Sequence, residues 1–97
     1  MSFIKSFSKV MSDEWKSIGL RGMYGYMADL LTEPRWYRAH EVFTEDADLN
    51  SNIMKALVEG LQGKVGSPDF LDGRHVIASV KHFLGDGGTT NGKDQGD

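Results

Sequence analysis

The sequence predicts an α/β chain in the order helix, strand, helix, strand, and three observations carry that expectation. Apolar residues recur at steps of three and four in two separate stretches, each stretch is followed by an apolar run without that period, and glycines stand where the helices should stop. A helix joining two strands is a βαβ unit, which sets its strands parallel with a right-handed crossover.

The first helix is marked by Ile4, Phe7, Val10, Met11, Trp15 and Ile18, which fall on one face, with Lys5, Lys9, Asp13 and Lys16 off it. Gly19 follows and predicts a stop near Ile18, because glycine takes the left-handed C′ conformation without steric cost. Leu20 to Asp29 then reads as a strand; Gly22 and Gly25 weaken it and allow close approach of another backbone or a ligand. Residues 30 to 45 show neither period and include Pro34, so they read as a long loop, of a length that is commonly functional. Trp36, Tyr37 and Phe43 argue that this loop is ordered. Asp46 can accept the free amides of a helix start, and Asp48 suits the positive end of the dipole. Leu49, Ile53, Leu57 and Leu61, with Ala56 and Gly60, form the clearest helical stripe, which stops at Gly63. After the turn "GKVGSPDFLDG", residues Val76 to Val80 give the near-continuous apolar run of a strand covered on both faces.

Composition bounds the function. Ninety-seven residues, 39% hydrophobic and 26% charged, suit one small globular core. A net charge of −3 with eleven scattered Lys and Arg gives no reason to expect nucleic acid. The absence of cysteine rules out disulfides and thiolate metal sites and leaves the compartment unreadable. The first residues lack the apolar run of about seven that a secretion signal needs, and no stretch approaches the roughly 18 apolar residues of a membrane span. A soluble chain with no membrane partner is expected.

In a βαβ unit the carboxyl ends of both strands share one sheet edge, where parallel α/β folds bind ligands. The loop from Leu30 and the segment from Lys81 should therefore be neighbours. Within the latter, Gly87, Gly92 and Lys93 have Walker A spacing, but Asp94 stands where a magnesium-binding hydroxyl belongs and would repel phosphate. Asp86 has Gly88 where an EF-hand needs a second oxygen ligand, and His40-Glu41 lacks the second histidine of a zincin helix. No metal and no cofactor is expected. Lys81 and His82 are adjacent, so in a regular strand they point to opposite faces; both reach one ligand only if a bulge or a strained peptide interrupts the strand. In the loop, Arg35 and Arg38 read either as surface charges or, with Trp36, as groups that hold sugar hydroxyls or carboxylates.

Taken together, "EPRWYRAHEVFTEDADL", a helix ending in "GLQG", and "VIASVKHFLGDGGTTNGKDQGD" resemble the amino-terminal (β/α)8 barrel domain of glycoside hydrolase family 3, in its β-glucosidase and exo-β-glucan hydrolase branch. The corresponding family pattern is Asp-Pro-Arg-Trp-Gly-Arg, a Glu-Asp-Pro, a Leu-Gln-Gly helix end, and Lys-His-Phe before a glycine-rich loop. The resemblance covers most of residues 13 to 97. It implies that residues 1–97 are a partial domain, an incomplete TIM-type barrel of about two strands and two helices. The remainder of the barrel and a second domain would lie outside it.

The resemblance also implies a site. Arg38 matches the second arginine of the family's loop motif, and Lys81 and His82 match its Lys-His pair; these imply contacts to hydroxyls of the first bound sugar. Asp86 is expected to hold the glycine-rich loop rather than touch sugar, and Gln95 is a further candidate for substrate contact. The implied partner is a β-glucoside or β-glucan oligosaccharide, hydrolysed with retention by a nucleophile and an acid/base expected downstream, since no Ser-Asp-Trp-like tripeptide occurs here. There are departures: Glu33, Tyr37 and Ala47 replace the family's aspartate, glycine and proline. Tyr37 would be strained if that glycine has a positive φ, which bears on the aim of Arg38. Alternatives are a non-catalytic carbohydrate-binding or interaction module, and the β-N-acetylhexosaminidase branch of the family, whose Lys-His-Phe usually precedes Pro-Gly-His-Gly rather than the Leu84-Gly85-Asp86-Gly87 found here.

Overall fold

A computed structural model describes residues 1–93. Its elements are α1 (Ser2–Ser17), β1 (Gly22–Met23), a short 3-10 helix (Ala39–Glu41), α2 (Ala47–Gln62) and β2 (Ile77–Ala78). The strands pair in parallel, Gly22 opposite Ile77 and Met23 opposite Ala78, and α2 crosses between them. The predicted βαβ order is therefore present.

Helix α1 ends as its sequence requires. Gly19 has φ 87°, its N–H donates to Lys16 O at 2.9 Å, and Leu20 N–H reaches Trp15 O at 3.0 Å, which together make a Schellman close. Its buried face differs from the predicted one. Ser8 and Ser12 are fully buried, whereas Phe7, Val10 and Ile18 are exposed. The reason is a close helix crossing: a Cβ on Gly60 of α2 would lie 2.5 Å from Ser8 Cβ, so only small residues fit the seam. The two serine hydroxyls survive burial by donating to the carbonyls of Leu57 and Leu61 on α2. At roughly 100° per residue, Phe7 and Val10 are turned away from that seam, while Ile4, Met11 and Trp15 pack against the core.

Helix α2 follows expectation. Asp46 Oδ1 accepts from Leu49 N–H at 2.9 Å, and the helix stops at Gly63 with φ 86°. Ile53, Met54, Ala56, Leu57, Gly60 and Leu61 are buried; Leu49 at the first turn is exposed.

The strands are shorter than predicted. In the stretch from Leu20 to Asp29 only Gly22 and Met23 are regular strand, and pairing returns as a single bridge between Met27 and Lys81. Lys81 N–H still donates to Tyr26 O at 2.9 Å, so the two chains run side by side to the carboxyl edge. The expectation that Val76–Val80 is covered on both faces fails: Val76 is fully buried, but Ile77 is 59% exposed and Val80 is also exposed. Both helices lie on one side of the two-stranded sheet, and among the described residues nothing covers the other.

Candidate functional site at the carboxyl edge of the sheet

The long loop and the glycine-rich segment meet as the parallel topology requires. Gly87 lies against the loop so closely that a Cβ would stand 2.7 Å from Leu30 O and 3.0 Å from Trp36 Cζ3. At Gly92 a Cβ would come within 2.6 Å of Arg35 O. The Walker-like glycines thus serve backbone-to-loop packing, and Arg35 Nη2 adds a hydrogen bond to Asn91 Oδ1 at 3.1 Å. Trp36, 1% exposed, is the apolar post on which the loop rests.

On this frame Arg38 and His82, 44 residues apart in sequence, come together, with Arg38 Nη1 3.4 Å from His82 Nε2. The same guanidinium donates from Nε to Glu41 and from Nη2 to Met27 Sδ at 3.2 Å. Its planar fork is held on three sides, which fixes its direction. Lys81 stands apart from that pair: its Nζ lies 4.2 Å from the centre of the Tyr24 ring, a cation–π contact just beyond β1. Its charge nonetheless reaches Glu41. The Arg38 hydrogen bond, against a smaller opposing effect of burial, holds the Glu41 carboxyl below its ordinary value, with lesser help from the charges of Arg38, His40 and Lys81.

The residue that organises the site was not singled out from the sequence. Asp29, its side chain fully buried, accepts the His82 backbone N–H at 3.1 Å and pairs with His82 Nδ1 at 3.1 Å, both on Oδ2. Its Oδ1 accepts Gly87 N–H at 3.0 Å. Burial pushes the Asp29 carboxyl up, but the hydrogen bonds from His82 and Gly87 outweigh it, so its pKa falls below the ordinary 3.8. Its signal in the sequence is faint: one acidic residue ending a mostly apolar stretch, at the edge where parallel α/β folds bind ligands.

Asp86 lies 3.8 Å from His82 Nδ1, so Asp29, His82 and Asp86 present one ligand atom each within 4.8 Å of one another. Such a trio can hold a cation in principle, but two backbone N–H donors and the His82 ring already occupy both Asp29 oxygens, and a guanidinium faces His82 Nε2. A cation would have to displace those bonds. Tyr37 is mostly exposed and is not among the described non-glycine residues with positive φ, which are Leu71 and Asn91. The backbone there needs no glycine. An open cleft of about 670 Å³ lies between His82 and Lys93. A second, of about 510 Å³, opens between the start of α2 and Val80 to Phe83. Gln95 lies outside the described residues.

Comparison with known proteins agrees over nearly the whole chain. A periplasmic β-glucosidase/β-xylosidase of Dickeya chrysanthemi is 36% identical over 92 residues, 94% of this chain and 14% of its own length. A periplasmic β-glucosidase of Salmonella typhimurium is 36% identical over 91 residues, covering 94% of this chain and 11% of its own. Among solved structures, an exo-1,3/1,4-β-glucanase of a Pseudoalteromonas species superposes with a TM-score of 0.90 at 36% identity, over 96% of this chain and 12% of that one. A β-glucosidase of Listeria innocua gives 0.84 at 32% identity, over 94% and 12%. The chain therefore spans about one seventh or less of the length of these relatives. The sequence model of the glycosyl hydrolase family 3 N terminal domain matches residues 1–96, and the chain belongs to that family.

Proposed function

We propose that this chain is the sugar-gripping part of a retaining, exo-acting β-glucosidase or β-glucan glucohydrolase, and that its βαβ unit is one part of a (β/α)8 barrel. The observation that carries this reading is the meeting of Arg38 and His82, 44 residues apart in sequence, at the carboxyl edge of parallel strands. In parallel α/β folds that edge is where substrate sits. Arg38 and Lys81 offer donors to sugar hydroxyls, His82 is assigned with them as a substrate contact, and Gln95 is a further candidate outside the described residues.

In a retaining reaction one carboxylate attacks the anomeric carbon and a second carboxyl protonates the departing oxygen; water then releases the sugar from the enzyme. This chain's residues act as a grip. Donors that bind hydroxyls more strongly in the distorted, oxocarbenium-like state than in the ground state lower the barrier. The nucleophile and the acid/base are assigned to the parent protein outside these residues, with no metal or cofactor required.

The test is kinetic, in the protein at its full coding length. A lost hydrogen bond to a charged donor is worth about 1.5–3 kcal/mol, so Arg38→Ala and Lys81→Ala should each lower kcat/KM on an aryl β-glucoside by roughly 10- to 100-fold. Unchanged kinetics in both variants would remove the assignment. A β-xyloside belongs in the same assay, because relatives from Dickeya chrysanthemi and Formosa agariphila are named as β-xylosidases. Faster turnover of the xyloside would move the first-sugar preference to pentose.

A further inference from the structure

We propose that Asp29 is a positioning residue for this site, a buried carboxylate that sets the tautomer of His82 and anchors the glycine-rich segment behind it with the same side chain. The inference rests on the reading above for its kinetic consequence, but its chemical core stands on geometry alone.

A guanidinium only donates, so the Arg38 Nη1 group 3.4 Å from His82 Nε2 meets a lone pair there. The ring proton of the neutral imidazole must then sit on Nδ1, where Asp29 Oδ2 waits at 3.1 Å. Each partner demands the same tautomer. Asp29 Oδ2 also accepts the His82 backbone N–H, so ring and backbone are held by one oxygen, and Oδ1 takes Gly87 N–H at 3.0 Å. Three N–H donors converge on one fully buried group. A carboxylate accepts at both oxygens, whereas an amide accepts at only one. With asparagine, either Gly87 loses its acceptor, or an NH2 faces His82 and forces the proton to Nε2, where it opposes Arg38.

The outcome is a His82 whose Nε2 edge is an acceptor joined to Arg38, and a sugar site in which Asp29, His82 and Arg38 act as one unit. Groups acting as a unit are non-additive on mutation.

Two measurements on the full-length protein test this. First, the imidazole 15N spectrum of histidine-labelled protein, with His82 assigned by difference from His82→Gln, should show a protonated Nδ1 and a bare Nε2. A protonated Nε2 overturns the proposal. This spectrum needs no turnover and no Asp29 variant, so it decides the tautomer even if no β-glucoside is hydrolysed, an outcome that would instead sink the functional reading. Second, Asp29→Asn should lower kcat/KM on an aryl β-glucoside about as much as His82→Ala, and the double variant should fall within about threefold of His82→Ala alone. Multiplying losses, the behaviour of a residue that only supports the fold, overturn it.

Discussion

At the scale of single residues, the site depends on groups whose importance lies in what surrounds them. The meeting of Arg38 and His82 could be expected from the loop motif and the strand end that carry them, whereas Lys81 stands apart over Tyr24. Asp29 could not be expected, because an aspartate after an apolar run looks the same whether it faces water or takes three buried N–H donors. The packing glycines were equally hidden: Gly87 and Gly92 mimic a phosphate loop in spacing and serve a different end. Gly87→Ala should therefore displace the loop or destabilise the protein by about 1–3 kcal/mol, an overpacking cost, as read by chemical denaturation. Asp29 also makes a pH prediction. Its pKa is lowered on folding, so the stability it contributes is complete above its ordinary 3.8 and is lost as pH falls through the lower folded value. Asp29→Asn should flatten the acid limb of a stability-against-pH curve; an unchanged acid limb would oppose this.

At the scale of elements, helix existence and ends were legible because they are local matters. Gly19 closes α1, Asp46 opens α2 and Gly63 closes it, each through the hydrogen bonds its residue type makes. The buried face of α1 was not legible, since Ser8 and Ser12 look like solvent-facing residues until a partner helix offers them Leu57 and Leu61 carbonyls. Strand extent was also hidden, because it depends on a partner more than fifty residues away. Two variants check these element-scale accounts. Gly60→Ala would put a methyl 2.6 Å from Lys5 O, and thermal unfolding should reveal a loss of about 1–3 kcal/mol. Asp46→Ala should cost about 1 kcal/mol through loss of the cap to Leu49, with no effect on the helix crossing.

At the scale of the whole molecule, α1 and α2 lie on one side of the sheet, and among the described residues nothing covers the other. Ile77, Val80, Phe83 and Leu84 are exposed there or near the edge, and among the described residues each strand has an unpaired side. Unpaired edges beside apolar surface invite association. The isolated 97-residue chain should accordingly show concentration-dependent self-association by sedimentation velocity and no turnover of an aryl β-glucoside. A monomer at all concentrations, or measurable hydrolysis, would contradict those expectations. The α/β class followed from periodicity alone, whereas the open face of the sheet did not, because Ile77 and Val80 stand in an apolar run that reads as core and are exposed.

The contact between Gly87, Gly92 and the backbone of the first loop constrains how either segment can be redesigned. Leu30 O and Arg35 O lie where side chains on the second segment would have to go, so the two segments share one mould. A chimaera that imports either loop from a relative inherits a partner shaped for another backbone path. Loop transplants here should keep the fold only when both segments are exchanged together.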